Sequence, residues 1–299
     1  MRFLVAESES PAARERRRAS VGRSSGETFR DLLLSLAPGA AIDRATPADA
    51  DGDVPDQATI AGYDAVFLTG SPLHVYDDTP EAAREIAFMR AVFASGTPSF
   101  GSCAGLQVAV AAAGGTVRAM GDRREAGFAR RITATAAGRD HPLLAGRAAA
   151  WDAPAVHSDE VATLPEGATL LASNGTTRVQ AAEIRVGPGI FWGVQYHPEL
   201  SLSEVAAALR RQAPDLVECG LARSEAEVGI QAALVDALAQ DPERRDLAWR
   251  LGLDAELIDR TKRTTELRNF LDHLVAPTRA ARGRRGSDQP AASESALTP

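Results

Sequence analysis

Between Asp64 and Gly115 the chain spells out a strand, a helix, a second strand and a second helix, joined by short turns. The first strand is "DAVFLTG" (Asp64–Gly70). The helix after it, "TPEAAREIAFMRAVFASG", carries its own boundary signals. Thr79 can cap it, Pro80 fits the first helical position, Glu81 suits the N-terminal dipole and Gly96 stops it. "PSFGS" follows as a strand, and an alanine-rich helix then runs to Gly114–Gly115. Strands alternating with helices in this way belong to an α/β sheet. With "RFLVA" (Arg2–Ala6) as a further strand, residues 1–200 read as one α/β domain: a mostly parallel open sheet flanked by helices. Farther on, "GFARRITATA", "AAAWDAPAV", "ATLLAS", "VQAAEI" and "GIFWGVQY" crowd strands together, which predicts some antiparallel pairing there.

After Leu200 the texture becomes helical. Ser224 and Glu227 stand at capping-box spacing, and Ile230, Leu234 and Leu238 follow four apart. Leu247 and Leu251 repeat that interval, and Leu267, Phe270, Leu271 and Leu274 close the pattern. Residues 201–275 are therefore expected to be an all-helical extension that covers the domain or docks a partner. Residues 276–299 hold too few apolar side chains to fold and are expected to be disordered.

Charge and cysteine content narrow the function classes. A net charge of −7 argues against a nucleic-acid surface, and the "RERRR" cluster (Arg14–Arg18) is expected to be a solvated face. No apolar run approaches the roughly 18 residues that a membrane span requires. Two cysteines, Cys103 and Cys219, cannot build a disulfide framework, which points to the cytoplasm. The opening "MRFLVAESES" is too briefly apolar to be a secretory leader.

Cys103 sits between Gly101 and Gly105 at the strand-to-helix bend, in the sequence Gly-Ser-Cys-Ala-Gly. Small neighbours permit the strained turn of a nucleophile elbow, which lifts the side chain clear of the sheet. A cysteine nucleophile needs a base, and that base needs an orienter. "GVQYHPEL" offers both: His197 and Glu199 flank Pro198, and in an extended segment residues two apart point to one side. The turn Gly70-Ser71-Pro72, one βα unit earlier, can present backbone N–H groups to an oxyanion.

The pieces "LTGSP", "GSCAGLQ", "REAGFA", "HSDEV" and "GVQYHPE", in this order, resemble those of class I glutamine amidotransferase domains, in particular stand-alone domains similar to the glutaminase half of GMP synthetase. The resemblance covers residues from about 60 to 200. It implies Cys103 as nucleophile, His197 as general base and acid, and Glu199 as orienter, with the Ser71 and Ala104 amides as oxyanion hole. It also implies Gly70, Gln107, Ser158 and Asp159 as substrate contacts. The Gly-Ser-Pro turn departs from the more frequent Gly-Gly-Pro, so Ser71 is expected to strain where glycine would not. The insertion-like stretch "ARERRRASVGRSSGETFRDLL" is not matched by these motifs, and no phosphate-binding synthetase loop is seen after Leu200.

What the resemblance implies is hydrolysis of the glutamine side-chain amide through a cysteine thioester, with ammonia passed to an acceptor-bearing partner protein. Two rivals stand beside it: a γ-glutamyl peptide or conjugate hydrolase with the same triad, and a non-catalytic binding or regulatory subunit. No cofactor is implied. The five histidines are scattered and none pairs with cysteine at zinc-site spacing, so no metal is expected. His157 is read as a structural or cleft-lining residue, and His74 as lacking a carboxylate at matching spacing.

Overall fold

The computed structural model describes residues 1–287. Eleven strands form among them. They are β1 (Arg2–Ala6), β2 (Ala41–Ala45), β3 (Ala65–Leu68), β4 (Ser99–Ser102), β5 (Thr116–Ala119) and β6 (Glu125–Ala134), then β7 (Trp151–His157), β8 (Asp159–Thr163), β9 (Ala168–Ser173), β10 (Ala181–Val186) and β11 (Gly189–Val194). Nine make one sheet in the order β2-β1-β3-β4-β11-β10-β9-β6-β7, and β5 pairs with β8. From β2 to β11 every pairing is parallel; from β11 to β7 every pairing is antiparallel. The mixed sheet expected from the strand-rich second half is present, and its parallel half carries the elbow.

Alternation along the strands builds two cores. Phe3 and Val5 of β1 face one layer, while Leu4 and Ala6 face the other. Against the second layer pack Phe88, Met89, Val92 and Phe93 of helix Pro80–Ser95, and Leu106 and Val110 of helix Ala104–Ala112. The long helix starts as its sequence requires: the Thr79 hydroxyl accepts the Ala82 amide, and Gly96 ends it at φ 68°.

The first layer draws on distant chain. Phe29, Leu32 and Leu33 come from helix Ser25–Leu36, while Leu267, Phe270, Leu271 and Val275 come from beyond residue 260. Phe270 stands edge-on to Phe67, ring centroids 5.5 Å apart, and also lies against Phe100 and Trp192. Glu266, fully buried, accepts from Arg147 at 2.6 Å and from the Tyr196 hydroxyl at 2.7 Å. A boundary at residue 200 therefore cuts through one hydrophobic core. Residues 200–258 form a cluster of their own, packed beside Ala126 and Phe128 of β6.

Three further expectations give way. In helix Glu225–Gln240 the inward face is Val228, Ala232, Val235 and Leu238, and Ile230 is 62% exposed. The four-residue stripe drawn through Ile230 and Leu234 was thus only partly the packed one, because the helix docks by a face that Ile230 turns away from. Residues 276–287, expected to be disordered, are helical. What fixes them is polar: Arg282 donates to the carbonyls of Tyr63 and Gly96, and Arg279 lies 3.5 Å from Asp64. The remainder of that expectation, residues 288–299, falls outside the described residues.

The "RERRR" cluster is likewise no solvated face throughout. It belongs to helix Pro11–Val21, where Arg14 is buried against Asp49 and Arg17 pairs with Glu204. No helix among the described residues is long and apolar enough to cross a membrane.

Candidate active site

Cys103 holds φ 52° and ψ −111°, a conformation that side-chain-bearing residues rarely adopt. Its amide donates to the Val194 carbonyl at 2.9 Å, which ties the bend to the neighbouring strand β11. The flanking glycines are obligatory on steric grounds. A Cβ at Gly105 would sit 2.6 Å from the Leu68 carbonyl oxygen, and one at Gly101 would meet the Gly105 carbonyl carbon at 2.8 Å. Helix Ala104–Ala112 begins immediately, so the Ala104 amide is one of the first-turn N–H groups without an intrahelical acceptor.

The turn at residues 70–72 lies directly against this bend. A Cβ on Gly70 would approach His197 Cε1 to 2.6 Å and the Cys103 Cβ to 3.5 Å. Gly70 is thus required by the closeness of the imidazole. Ser71 is not strained: Cys103 and Arg131 are the non-glycine residues with positive φ among those described. The Ser71 hydroxyl accepts the Leu73 amide at 3.1 Å, which fixes the turn in place of the second glycine usual in the family.

His197 hangs at the end of β11, its amide donating to the Pro154 carbonyl at 2.7 Å. Its Nδ1 is 2.7 Å from Glu199 Oε1, and its ring lines the same cleft as Cys103. Ser102, unremarked in the sequence, donates to the same Glu199 oxygen at 2.9 Å. Its place is the last residue of β4, directly before the bend at Cys103.

Burial opposes a charge on the imidazole, yet the Glu199 carboxylate and the Cys103 sulfur outweigh it and raise the His197 pKa to about 10. The sign follows directly. Protonated His197 stabilises the fold fully below the free value of about 6.5, and that contribution is lost as pH rises through about 10. The stability gap between wild type and His197→Gln, measured by urea unfolding, is expected to narrow steadily from pH 6.5 to 10. A gap that stays constant over that range contradicts the pairing.

The other expected contacts lie deeper. Gln107, 2% exposed, donates to the Asp159 carbonyl and to Gln195 Oε1, each at 3.3 Å. Ser158 accepts the Met120 amide through its carbonyl at 2.8 Å. Asp159 is held by His74 Nδ1 at 2.7 Å and by the Tyr76 hydroxyl at 3.1 Å. His74 therefore has its carboxylate after all, 85 residues away, where no local spacing would show it. His157 is buried between the Asp159 carbonyl and Glu125, which Asn174 and Gln180 also support. Burial would raise the Glu125 pKa, but His157 and these donors bring it below the usual carboxylate value.

A cleft of about 500 Å³ opens on Cys103, His197, Gly70 and Ser71. Gln107, Ser158 and Asp159 do not line it. Its lining also includes Arg16 and Arg17 of helix Pro11–Val21, and Arg211 of helix Leu202–Arg211. Among the described residues no group of three or more His, Cys, Asp or Glu side chains could hold a metal ion.

The family model of glutamine amidotransferase class-I matches residues 45–213. The chain belongs to the class I glutamine amidotransferase family. It is similar to a gamma-glutamyl-L-1-hydroxyisopropylamide hydrolase of a Pseudomonas species, 36% identical over 283 residues, with 93% of this chain and 94% of that protein covered. It is also similar to the glutamine-hydrolyzing GMP synthase of Porphyromonas gingivalis, 32% identical over 202 residues. That match takes in 67% of this chain but only 37% of the synthase, so the chain spans little more than a third of that relative. Among solved structures, a glutamine amidotransferase from Thermotoga maritima superposes with a TM-score of 0.60 at 16% identity, covering 92% of this chain and 98% of the other. A glutamine amidotransferase from Methylobacillus flagellatus gives 0.55 at 18% identity, covering 90% of this chain and 92% of the other. Both show the shared amidotransferase fold, which includes the helical C-terminal part.

Proposed function

We propose that the protein hydrolyses a γ-glutamyl amide whose leaving amine is larger than ammonia. The cleft beside Cys103 is consistent with this reading: at about 500 Å³ it falls within the roughly 300–1,000 Å³ of small-ligand sites and leaves room for a glutamyl group with a substituent on its amide nitrogen. Likeness over nearly the whole length of a hydrolase of this class supports it.

In this reading Cys103 Sγ, its proton taken by His197, attacks the γ-carbonyl carbon. The carbonyl oxygen takes the negative charge and rests on the Ser71 and Ala104 amides. As the tetrahedral intermediate collapses, the C–N bond breaks and His197 delivers its proton to the departing amine. A γ-glutamyl thioester remains on Cys103. Water then enters, gives a proton to His197 and attacks the thioester carbon; glutamate leaves and the thiol is restored. Glu199 orients the imidazole through Nδ1 and Ser102 orients Glu199. Gly70, Gln107, Ser158 and Asp159 would shape the glutamyl side, the last three from behind the cleft surface. Unpaired thiols suit a reducing compartment such as the cytoplasm.

Glutaminase activity that feeds ammonia to a separate synthetase is the second reading, and the match to GMP synthase supports it. The two separate in one assay. Release of amine from γ-glutamyl alkylamides, with kcat/KM at least tenfold above that for glutamine, is the expected result; the reverse order favours the amidotransferase partner.

The orienter is expected to matter less than the base. His197→Ala should cost about 10 to 100 times more in kcat than Glu199→Gln, as in other triads where the acid only assists. Equal losses would mean that Glu199 does more than hold the ring.

A further inference from the structure

The arginine wall of the cleft is not used by amide hydrolysis as such. Arg17 is committed to Glu204 at 3.1 Å, although its buried Nε has no acceptor. Arg211 donates to the Ser20 hydroxyl at 2.8 Å. Neither Arg211 nor Arg16 takes part in an ion pair among the described residues, and both line the cleft together with Arg17. The carboxylates nearby are engaged elsewhere. Glu9 accepts the Ser25 amide at 3.0 Å, Asp215 lies 3.9 Å from Arg124, and Glu199 holds His197. Arg16, Arg17 and Arg211 line one cleft, so positive charge is crowded here. An anion seated on this wall would relieve that crowding.

The wall lines the same cleft as His197, which gives the departing amine its proton, whereas Gln107, Ser158 and Asp159 stand outside that lining. It therefore faces the other half of a bound γ-glutamyl amide, the amine that departs. We infer that this amine carries a carboxylate bound by Arg211 and Arg16, making the substrate a γ-glutamyl derivative of an amino acid. Guanidinium groups suit the role because their planar fork matches a carboxylate in two parallel hydrogen bonds. The inference rests on the γ-glutamyl amide reading and assigns Arg211 and Arg16 as specificity residues.

The test compares γ-glutamylglycine with γ-glutamyl-isobutylamide, its neutral isostere, on the full-length protein. Wild type is expected to prefer the glycine derivative in kcat/KM by roughly 10- to 100-fold, the worth of a charge-assisted hydrogen-bonded contact. Arg211→Gln and Arg16→Gln should each shrink that ratio mainly through KM, and Arg211→Lys should keep part of it. Because both substrates share the glutamyl end, an equal fall for both in Arg211→Gln would place the guanidinium on the α-carboxylate instead and overturn the inference. Equal kcat/KM for the two substrates in wild type would also overturn it, while leaving γ-glutamyl amide hydrolysis standing. Hydrolysis of neither would overturn both.

Discussion

Replacing Cys103 by alanine is expected to lower kcat on the order of 100,000-fold or more, the scale seen when a nucleophile is removed from a catalytic triad. The expectation follows from the isolation of the sulfur. Among the residues lining the cleft it is the only thiol, and His197 is the only imidazole. Cys219, the other free thiol, caps helix Ala213–Glu218 and contacts the Leu216 carbonyl, away from the cleft wall. Folding should survive the change, because alanine keeps the Cβ, the Val194 hydrogen bond and the glycine contacts of the bend. Activity measured beside circular dichroism and thermal unfolding checks both halves. Turnover above about a hundredth of wild type in a folded variant would locate the nucleophile elsewhere.

The largest stability effect is expected at Phe270. Its ring is fully buried and touches Phe67 of β3 and Phe100 of β4, the two strands that lead into the Gly70–Pro72 turn and the bend at Cys103. Phe270→Ala deletes a ring from close-packed aromatic neighbours, which costs about 3–5 kcal/mol. Against a total of about 5–15 kcal/mol for an ordinary domain, that is a large share. Urea unfolding should show the loss, and activity per folded molecule should fall as well, because the strands carrying the site lose a packing surface. Ile230→Ala, on an exposed position, should stay within about 0.5 kcal/mol of wild type. A mild Phe270→Ala would mean that the C-terminal segment only rests on the sheet.

How far the sequence could be read depends on where each element's stabilising contacts lie. β1 matches its reading residue for residue, and helix Pro80–Ser95 begins and ends at its caps, because local signals there agree with the packing. β2 carries no clear strand signal, since "AIDRA" is an edge strand, exposed or half-exposed at four of its five residues and interrupted by charge. Helix Pro11–Val21 lacks a clear signal for a different reason: it buries only Ala13 and Arg14, so it shows no apolar stripe. Its neighbour Ser25–Leu36 did carry a capping box, Ser24 with Glu27, which could have been found.

At the site, the elbow and the His-Pro-Glu step were legible because their geometry is local. The support of Glu199 by Ser102, the His74–Asp159 pair and the arginine wall join residues that are far apart in the chain. Only the fold brings those together. The same holds for Phe270, whose helical spacing was visible while its place on the central sheet was not.

A γ-glutamyl thioester on Cys103 is the intermediate on which the proposed reaction turns, and rapid acid quenching followed by peptide mass spectrometry tests it most directly. With a γ-glutamyl amide in excess, the peptide containing Cys103 should gain the mass of a glutamyl acyl group. The adduct should vanish as substrate is exhausted and be missing in Cys103→Ala. Steady turnover of the amide with Cys103 unmodified throughout, or with the acyl group on another residue, would contradict the account.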